Sequence, residues 1–522
     1  MDGLMRLSEL LRGAGVGVAN HADPEIHDVR IDSRKVGKGD LFLALKGAHD
    51  DGSKYVGEAI QRGAAAVLSE GNSHPALEGA MEPGPGAEII ACPGLRAHVG
   101  DLFNVRLGRP AETMETVAVT GTNGKSTITK LTAGVLQAAG HKVISLGTID
   151  YAIDGVAQPS SLTTPGPDDF FAMLRQGADK GCTALAMEVS SHALSQDRIR
   201  GVTFSRAIFT NLTRDHMDYH KDFEDYYQAK KRLFSEYLRP DGIVTPAGVA
   251  TPAGVAILNV DSEYGIRLSR ELTCARLTFS RGETKADVML NDDRLTLAGT
   301  EFEVAYRGED YRFTSRLIGT INIENLMAVV TLGFSLNLKH EVIAKGIADV
   351  TVEGRNQVFD LPGGAFAVVD YAHSPDALQR VLASLKPLTP GQLVCVFGCG
   401  GDRDRTKRPI MGAIAVESAD RVILTSDNPR SEDPQAILRE ILGGMQDSSK
   451  VRLLADRREA IAAALDSLAS GDCLLIAGKG HEDYQIIGRE KKHFSDQEEI
   501  RSWVGRRAGN SGSQRERSSH GA

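Results

Sequence analysis

Apolar positions along this chain recur in two periods, which predict strands and helices in turn. Thr116–Val119 is a short β-branched run, and Ile128–Ala139 then carries apolar residues at helical spacing before Gly140. Strand, glycine turn and helix in this order are typical of a parallel βαβ unit. The pattern therefore predicts an α/β fold with a doubly wound, mostly parallel central sheet.

The same alternation continues along the chain. The later predicted strands are Lys142–Leu146, Ala184–Met187, Ala207–Phe209, Phe366–Val369, Leu393–Phe397, Val422–Thr425 and Cys473–Ala477. Helices are predicted at Asp376–Leu385 and Pro434–Met445. The N-terminal part has shorter segments, with a strand at Asp40–Leu45, a helix and a strand within Val56–Val67, and a short helix at Val99–Arg106.

These changes of pattern, in a chain of 522 residues, predict three domains and a tail. We place a small N-terminal α/β domain at residues 1–112, the central domain at 113–346 and a Rossmann-like α/β domain at 347–505. Residues 506–522 are rich in Gly, Ser and Arg, so we expect them to be disordered. Further loops are predicted around Pro83–Gly86 and at the tandem repeat over residues 245–256.

Charge and cysteine content argue against several classes of protein. A formal net charge of −9 disfavours an electrostatic grip on nucleic acid or on an anionic membrane. The six cysteines lack the spacings of a zinc site or a disulfide framework, which indicates reduced thiols. The first residues do not form a secretory signal, and no run is apolar for long enough to span a bilayer. We therefore expect a cytoplasmic protein.

The strongest local motif is Thr120–Thr127, which reads Thr-Gly-Thr-Asn-Gly-Lys-Ser-Thr between a predicted strand and a predicted helix. Glycines there let backbone N–H groups approach phosphate oxygens at a helix N-terminus. An ordinary glycine turn is the alternative, because the strict spacing would need a glycine at Val119, but the Gly-Lys-Ser ending favours a phosphate loop. The predicted ATP-binding residues of the loop are Gly121, Thr122, Asn123, Gly124, Lys125, Ser126 and Thr127.

Two more candidates follow predicted strands of the same domain. Glu188 comes directly after one strand, and His216 lies in the polar segment after another. Ligands of open α/β sheets bind outside the carboxyl ends of the strands, so Glu188 is a candidate metal ligand and His216 could complete the site. Taken singly, each residue also fits a solvated carboxylate or a structural histidine. Their clustering favours a function.

Four predicted strands of the third domain also end in polar clusters. The clusters are Asp370–Pro375, Gly398–Arg405, Asp427–Arg430 and Gly478–Glu482. Charged, glycine-rich loops suit anion binding, whereas a merely solvated loop is the alternative for any one of them. Four in succession predict one crevice lined by this domain.

Together the phosphate loop, Glu188–His192, Asn211–His216 and Asp370–Pro375 resemble the Mur ligases of peptidoglycan synthesis, in order and across most of the chain. The resemblance implies an ATP-dependent amide-bond-forming ligase. In this family an N-terminal domain binds the UDP end of the substrate, a central domain binds ATP and a C-terminal domain binds the incoming amino acid. Lys230 matches the lysine that is carbamylated in the family and then serves as an oxygen ligand for a second Mg²⁺.

The resemblance also implies sets of binding residues. Residues that match contacts to the UDP-N-acetylmuramoyl dipeptide are Ser33, Thr163, Thr164, Ser190, Gln196 and Arg198. Residues that match nucleotide contacts outside the loop are Asn322, Asn325, Arg355, Asp370 and His373. Residues that match contacts to the amino acid are Arg403, Asp427, Asn428, Arg430, Gly478 and Glu482. The implied catalytic and metal-binding residues are Lys125, Ser126, Thr127, Glu188, His216 and Lys230.

The segment Asp427–Arg430 reads Asp-Asn-Pro-Arg and resembles the motif of family members that add meso-diaminopimelate. Diaminopimelate is lysine with a distal carboxylate, which an arginine such as Arg430 can grip with two parallel N–H bonds. Glu482 suits the distal ammonium. The chain departs from the family around Arg355, where Glu353 stands in place of the usual proline.

The implied reaction transfers the γ-phosphoryl group of ATP to the terminal carboxylate of UDP-N-acetylmuramoyl-L-alanyl-D-glutamate, and the amine of diaminopimelate then displaces phosphate. A lysine-adding ligase of the same family and a ligase like folylpolyglutamate synthase are alternatives. A catalytically silent UDP-peptide-binding protein is another, although Lys125, Glu188 and Lys230 are all present. We expect a monomer that uses ATP and Mg²⁺ and binds no nucleic acid.

Overall fold

The computed structural model describes residues 4–17, 21–46, 51–70, 87–213, 215–217, 219–240, 252–282 and 284–518. The predicted loop at Pro83–Gly86 and residues 245–251 of the tandem repeat lie outside these ranges. The chain divides into two compact units, residues 1–289 with 325–346 and residues 290–324 with 347–522. The proposed boundaries between three domains, at 112/113 and 346/347, stay a prediction.

The first unit begins with a small parallel sheet. The helices and strands of this region are β1 (Met5–Arg6), α1 (Leu7–Gly13), β2 (Glu25–Ile26), β3 (Val29–Arg30), β4 (Leu41–Ala44), α2 (Val56–Gln61), β5 (Ala66–Ser69), β6 (Glu88–Ala91) and α3 (Val99–Arg106). Strands β1 and β2 form a separate antiparallel pair. Strands β3, β4, β5 and β6 pair in parallel in that order. Leu41 and Leu43 of β4 join the main apolar core of the unit, whereas Phe42 and Ala44 pack with helix α2. Both faces are therefore covered, as parallel strands require.

The larger sheet of this unit contains the predicted strand–loop–helix motif. Its elements are β7 (Glu115–Thr120), α4 (Lys125–Ala138), β8 (Val143–Leu146), β9 (Asp150–Ile153), β10 (Val156–Pro159), α5 (Pro167–Asp179), β11 (Ala184–Glu188), α6 (Ser191–Ser195), β12 (Arg206–Phe209), α7 (Phe223–Ser235), β13 (Val255–Asn259), α8 (Glu263–Glu271) and β14 (Ala275–Ser280). Strands β8, β11, β7, β12, β13 and β14 are parallel neighbours in that order, and β9 and β10 add an antiparallel hairpin beside β8.

The register of this sheet sets the positions of the candidate residues. Glu188 at the end of β11 lies opposite Val119 of β7, and Phe209 of β12 lies opposite Thr120. The segments that leave these three strands therefore begin side by side at one edge of the sheet. The predicted parallel α/β architecture is confirmed.

The remaining elements include the whole Rossmann-like sheet. They are β15 (Val288–Thr296), β16 (Gly299–Tyr306), β17 (Glu309–Ser315), α9 (Thr320–Ser335), α10 (His340–Ala348), β18 (Gln357–Asp360), β19 (Phe366–Asp370), α11 (Pro375–Leu385), β20 (Leu393–Phe397), α12 (Lys407–Ser418), β21 (Arg421–Leu424), α13 (Pro434–Leu442), β22 (Val451–Leu453), α14 (Arg457–Asp466), β23 (Cys473–Ala477), β24 (Tyr484–Ile487), β25 (Glu490–His493) and α15 (Asp496–Ser518).

The main sheet of the second unit is mostly parallel and is covered by helices on both faces. Its order is β18, β19, β23, β20, β21, β22, with only β18 antiparallel to its neighbour. Successive residues of a strand point to opposite faces. Cys395 and Leu475 thus pack with α11, α12 and α13, whereas Val394 and Ile476 pack with α14 and α15. These two cores confirm the predicted Rossmann-like α/β architecture.

Helix α15 is the last element of the chain. It runs from Asp496 to Ser518, so its bounds include most of residues 506–522, where the expectation of disorder stays a prediction. Its first turns are fixed by burial of Ile500 and Trp503. Extending an existing helix costs much less than nucleating one, so these packed first turns favour helix beyond them.

The described part of the chain contains free cysteines, and none of its helices is suited to spanning a membrane. No helix within those ranges is long and apolar enough to cross a bilayer. All six cysteines are free thiols, and five of them are buried. The prediction of reduced thiols agrees with this arrangement.

An entirely buried ion pair joins helices α14 and α15. The Nε and Nη2 atoms of Arg457 donate to the two carboxylate oxygens of Asp496 at 2.7 Å each, and both side chains are fully shielded from solvent. Nη2 also donates to the carbonyl of Ala477 at the end of β23. The pair therefore holds α15 against the strand that leads into the Gly478–Glu482 cluster.

Asp496→Ala should lower the free energy of unfolding by about 3–5 kcal/mol, because it leaves the Arg457 guanidinium buried without its counter-charge. Urea unfolding followed by fluorescence of Trp503, the single tryptophan, would measure the change near the substitution. The control is Asp349→Ala, which removes an exposed pair with Arg316 at 3.1 Å and should have little effect. Equal destabilisation by both substitutions would contradict the prediction.

Candidate active site

The loop Thr120–Thr127 joins β7 to α4, which is the context that the sequence predicts. Gly121 and Gly124 have φ values of 148° and 87°, a conformation that favours glycine. A Cβ atom on Gly121 would collide with Oγ1 of Thr210, and one on Gly124 would collide with Oδ1 of Asn325. Glycine is therefore required at both positions.

The segment after β12 supports this loop from the side. The backbone N–H of Thr122 donates to the carbonyl of Asn211 at 2.9 Å, and that of Asn123 donates to Oδ1 of Asn211 at 3.0 Å. Oγ1 of Thr122 lies 3.2 Å from the hydroxyl of Tyr226 on α7. Burial raises the pKa of Tyr226 to about 12, so the hydroxyl stays protonated and can hydrogen-bond at neutral pH.

Two lysines converge on one backbone carbonyl. Nζ of Lys125 donates to the carbonyls of Gly121 and Thr122 at 3.0 and 2.8 Å, and Nζ of Lys230 donates to the same Gly121 carbonyl at 2.9 Å. Lys230 is almost completely buried. Burial, reinforced by the charge of Lys125, moves the pKa of Lys230 well below its usual value. The uncharged amine is therefore favoured at Lys230.

Glu188 is buried at the end of β11, and a neighbouring threonine orients its carboxylate. Thr148 donates its backbone N–H to Oε1 at 2.7 Å and its hydroxyl to Oε2 at 3.1 Å. The sequence interpretation missed Thr148, although it directly follows strand β8 and Gly147, at the same edge of the sheet. Each oxygen of Glu188 keeps a second lone pair for another partner.

His216 has a left-handed backbone, with φ of 56°, which is uncommon for a residue other than glycine. Its ring lies 4.9 Å from that of His192 and 6.0 Å from that of Tyr226, centroid to centroid. Its Nε2 is 3.5 Å from the carboxylate of Asp215. Such strain persists only where surrounding contacts enforce it, and it clusters at functional sites.

The side chains around the loop suit the Mg²⁺ that the family resemblance implies. Within the described ranges, no group of three or more His, Cys, Asp or Glu residues could hold a metal ion. Mg²⁺ is usually held by one or two carboxylates together with substrate phosphates, so such a cluster is not required. Glu188 beside the loop, with the hydroxyls of Ser126 and Thr127 in the first turn of α4, fits a site completed by nucleotide phosphates.

The predicted dipeptide-binding residues are mostly brought together around Glu188. Oγ1 of Thr164 donates to the carbonyl of Glu188 at 2.9 Å and accepts the backbone N–H of Ser190 at 3.0 Å. Arg198 donates to the carbonyl of Thr164 at 3.0 Å and, from Nε and Nη2, to Oε1 of Gln196 at 2.9 and 2.8 Å.

The other two predicted dipeptide-binding residues have different surroundings. Oγ1 of Thr163 lies 3.1 Å from Oγ1 of Thr148, so Thr163 can donate its hydroxyl to the threonine that orients Glu188. Ser33 is buried in a short turn of the small sheet and donates its hydroxyl to Glu58 at 2.8 Å.

In the second unit, Asp370 at the end of β19 accepts the backbone N–H groups of Asn356 and Ala372 at 2.7 and 2.8 Å. Burial raises the pKa of Asp370, while the nearby charge of Arg355 opposes the shift. The guanidinium of Arg355 lies 4.7 Å above the ring of Tyr371, as in a cation–π contact.

The other two predicted nucleotide residues of this unit are His373 and Asn322. Burial lowers the pKa of His373, and its Nδ1 lies 2.8 Å from the carbonyl of Tyr371. Asn322 is buried and donates to the carbonyl of Ile318 at 2.8 Å.

The clusters after β21 and β23 meet, as the strand-end pattern predicts. Nδ2 of Asn428 donates to Oε2 of Glu482 at 3.0 Å, and the backbone N–H of Gly478 donates to the carbonyl of Asp370 at 3.1 Å. Gln485 donates to the carbonyl of Asp427 at 2.7 Å. Lys479, which was not predicted as a site residue, lies at the centre of this group. Its position in the Gly478–Glu482 cluster was the available signal.

The backbone of Arg430 is strained, and hydrogen bonds from neighbouring backbone groups hold it in place. Its φ is 51°, and its backbone N–H and carbonyl bond to Ile486 and Gly488 at 3.0 and 2.7 Å. Nη1 donates to the carbonyl of Gly401 at 2.9 Å. The loop of Arg403 approaches the same place, because a Cβ on Gly400 would adjoin both Nη1 of Arg430 and Cγ of Arg403. Two guanidinium groups and two carboxylates therefore belong to one cluster of loops.

Comparisons with known proteins agree with this arrangement. Residues 25–89 match the Mur ligase family catalytic domain, residues 119–333 the Mur ligase middle domain and residues 354–480 the Mur ligase glutamate ligase domain. A protein of Synechococcus elongatus named UDP-N-acetylmuramoyl-L-alanyl-D-glutamate--2,6-diaminopimelate ligase is 41% identical over 92% of this chain and 94% of its own length. A protein of the same name from Gloeobacter violaceus is 40% identical over 96% of this chain and 99% of its own length.

A solved structure is similar over almost the whole chain. Its title is that of a UDP-N-acetylmuramoyl-L-alanyl-D-glutamate--2,6-diaminopimelate ligase. It is 32% identical, with a TM-score of 0.72, and the match covers 97% of this chain and 100% of that one. The order of the motifs, the architecture and the similarity over nearly the full length lead to one assignment. The chain belongs to the Mur ligase family.

Proposed function

We propose that this Mur ligase joins meso-diaminopimelate to UDP-N-acetylmuramoyl-L-alanyl-D-glutamate with consumption of ATP. The observation that carries the proposal is the meeting of the Asp427–Arg430 loop with the Gly478–Glu482 loop, through the bond between Asn428 and Glu482 at 3.0 Å. Relatives at about 40% identity over nearly the whole chain bear the name of this activity.

The charges of these loops suit a double amino acid. Diaminopimelate has two ammonium and two carboxylate groups, whereas lysine lacks the distal carboxylate. Asp427 and Glu482 provide acceptors for an ammonium group, and Arg430 and Arg403 provide donors for a carboxylate. Nη1 of Arg430 is already fixed on the Gly401 carbonyl, so the guanidinium is oriented before the ligand arrives.

The phosphate loop and its neighbours suit ATP-dependent activation of the dipeptide carboxylate. The carboxylate oxygen attacks the γ-phosphorus, ADP leaves, and the amine then attacks the acyl phosphate and releases inorganic phosphate. Lys125 and the N-terminus of helix α4 suit stabilisation of charge on the phosphates, while Glu188, oriented by Thr148, would hold the metal. Bound Mg²⁺ would neutralise the charge that develops on the phosphate oxygens.

Lys230 is proposed to be carbamylated. An uncharged amine attacks CO₂, and loss of one proton leaves a carbamate whose two oxygens are anionic ligands. Burial favours the uncharged amine, and the bond to the Gly121 carbonyl aims Nζ at the phosphate loop. The carbamate would hold a second Mg²⁺ at the loop, together with His216.

Three other functions are weaker candidates. A lysine-adding ligase would leave the oriented Arg430 without a distal carboxylate to bind. A ligase like folylpolyglutamate synthase does not account for the relatives' names over more than nine tenths of the chain. A catalytically silent binding protein has no need of the buried Lys230 beside the phosphate loop. We further propose that the enzyme acts as a monomer in the cytoplasm, the compartment that supplies ATP and suits six free thiols.

The reaction is tested by ATP-dependent phosphate release from the purified protein with UDP-N-acetylmuramoyl-L-alanyl-D-glutamate. Turnover is expected with meso-diaminopimelate and not with L-lysine, because only the former has the distal carboxylate. Turnover with lysine alone would keep the ligase and refute the role of Arg430. No turnover with either amino acid in folded protein would refute the proposed function.

Arg430→Lys should reduce kcat/KM for diaminopimelate by about 10- to 100-fold, since a single ammonium cannot form two parallel hydrogen bonds with a carboxylate. The loss should lie mainly in KM for the amino acid, with KM for ATP unchanged. Arg439→Lys is the matched control, because Arg439 is an exposed partner of Asp433 in the same unit. Equal losses in both variants would argue against carboxylate recognition by Arg430.

Lys230→Met should lower kcat by about 10²–10³-fold, because it removes a preorganised charge beside the transferring phosphoryl group. Protein equilibrated with ¹³C-labelled CO₂ should give a carbamate signal in ¹³C NMR spectra that this variant lacks. Lys231→Met is the control: Lys231 pairs with Glu271 at 2.8 Å and should keep both the activity and the signal. A fully active Lys230→Met variant would refute the assignment.

A further inference from the structure

The ammonium of Lys479 lies at the centre of the cluster formed by the two amino-acid-binding loops, although its side chain has no exposure to solvent. Nζ donates to Oδ1 of Asn428 at 3.1 Å and to the carbonyl of Tyr484 at 2.7 Å. It also lies 3.3 Å from Oδ1 of Asp427 and 3.9 Å from Oε2 of Glu482. A lysine is rarely buried unless it is paired, so this arrangement calls for a role.

Lys479 determines which way the amide of Asn428 points. An ammonium group has only donors, so it requires the amide oxygen on its side. The backbone N–H of Ile486 donates to the same oxygen at 3.0 Å, which reinforces this orientation. The amide nitrogen is thereby turned towards Glu482, where it donates to Oε2 at 3.0 Å.

Lys479 also offsets the repulsion between two neighbouring carboxylates. Burial and the charge of Asp427 raise the pKa of Glu482, while Lys479, Arg430 and the bond from Asn428 oppose the rise. Burial lowers the pKa of Lys479, but Asp427, Asp496 and Glu482 support its charge. The other charged or titratable groups that act on this pair are Arg457, Tyr371 and Tyr484.

We propose that Lys479 is a positioning residue for amino-acid selection: its ammonium group lies between Asp427 and Glu482 and fixes the amide of Asn428, so that both carboxylates are placed to receive an ammonium group of the substrate. The inference rests on the proposed function, because it assigns this cluster to diaminopimelate. Lys479 acts on the substrate through the groups that it contacts, namely Asn428, Asp427 and Glu482.

The positive charge of Lys479 favours the ionised form of Glu482, so removing the charge removes that support. Without the ammonium, the pKa of Glu482 rises further, so this carboxyl is protonated at a higher pH and ceases to bind an ammonium group. The acid limb of kcat/KM for diaminopimelate should therefore move to higher pH. One pKa unit corresponds to about a tenfold change in binding at a pH below both values.

The test compares wild-type full-length protein with Lys479→Met and Lys479→Gln over a range of pH. Both variants should show an acid limb shifted upwards by about one pH unit, with KM for diaminopimelate raised about tenfold on that limb. KM for ATP should not change. Lys479→Gln removes the charge but keeps a polar side chain with a hydrogen-bond donor. It therefore tests the effect of the charge even if Lys479→Met does not fold. Lys386→Met, which removes a surface partner of Asp420, should leave the pH profile unchanged.

The outcomes separate this inference from the proposed function. A uniform fall in kcat with an unshifted acid limb would reduce Lys479 to a structural residue and overturn the inference. If the wild-type protein turns over neither amino acid, the proposed function fails independently. The pKa of the Glu482 carboxyl, measured by ¹³C NMR in wild type and Lys479→Gln, still decides the electrostatic role: a rise supports it, and an unchanged value refutes it.

Discussion

The pairing of β7 between β11 and β12 is the constraint on which the candidate phosphate-binding site depends. Parallel pairing in this register places Glu188 opposite Val119 and Phe209 opposite Thr120. The phosphate loop, the buried carboxylate and the Asn211 segment then leave the sheet at one edge. A slip of one residue would turn alternate side chains to the opposite face and separate these groups. The chemistry of the first unit therefore depends on strand register before it depends on any single side chain.

A similar principle operates in the second unit, although the chemical result is different. Parallel strands β19, β20, β21 and β23 again bring their carboxyl ends to one edge, which is where ligands of such sheets bind. The first sheet presents glycine, lysine and a carboxylate, which suit a polyphosphate and its metal. The second presents paired arginines and carboxylates, which suit a zwitterion. One architectural rule thus gathers two chemically different sets of side chains in a single chain.

Much of this organisation could be predicted because it is written in local patterns. Strands such as Leu393–Phe397 and Cys473–Ala477 appear as uninterrupted apolar runs and have the same bounds in the structure. The loop Thr120–Thr127 combines glycine spacing with its position between a strand and a helix. What the pattern could not provide was pairing between distant segments. Thr148 supports Glu188 across 40 positions of sequence, and no local pattern contains that relation.

The left-handed backbone of Arg430 has an evolutionary consequence. Glycine or asparagine would occupy this φ at less cost, so selection for stability alone would tend to replace the arginine. Its presence indicates that the chain tolerates a local thermodynamic defect in exchange for a guanidinium in a fixed orientation. Directed evolution for heat resistance, without selection for activity, would be expected to replace Arg430 early. Arg430 would then be among the first residues to change once selection for activity is relaxed.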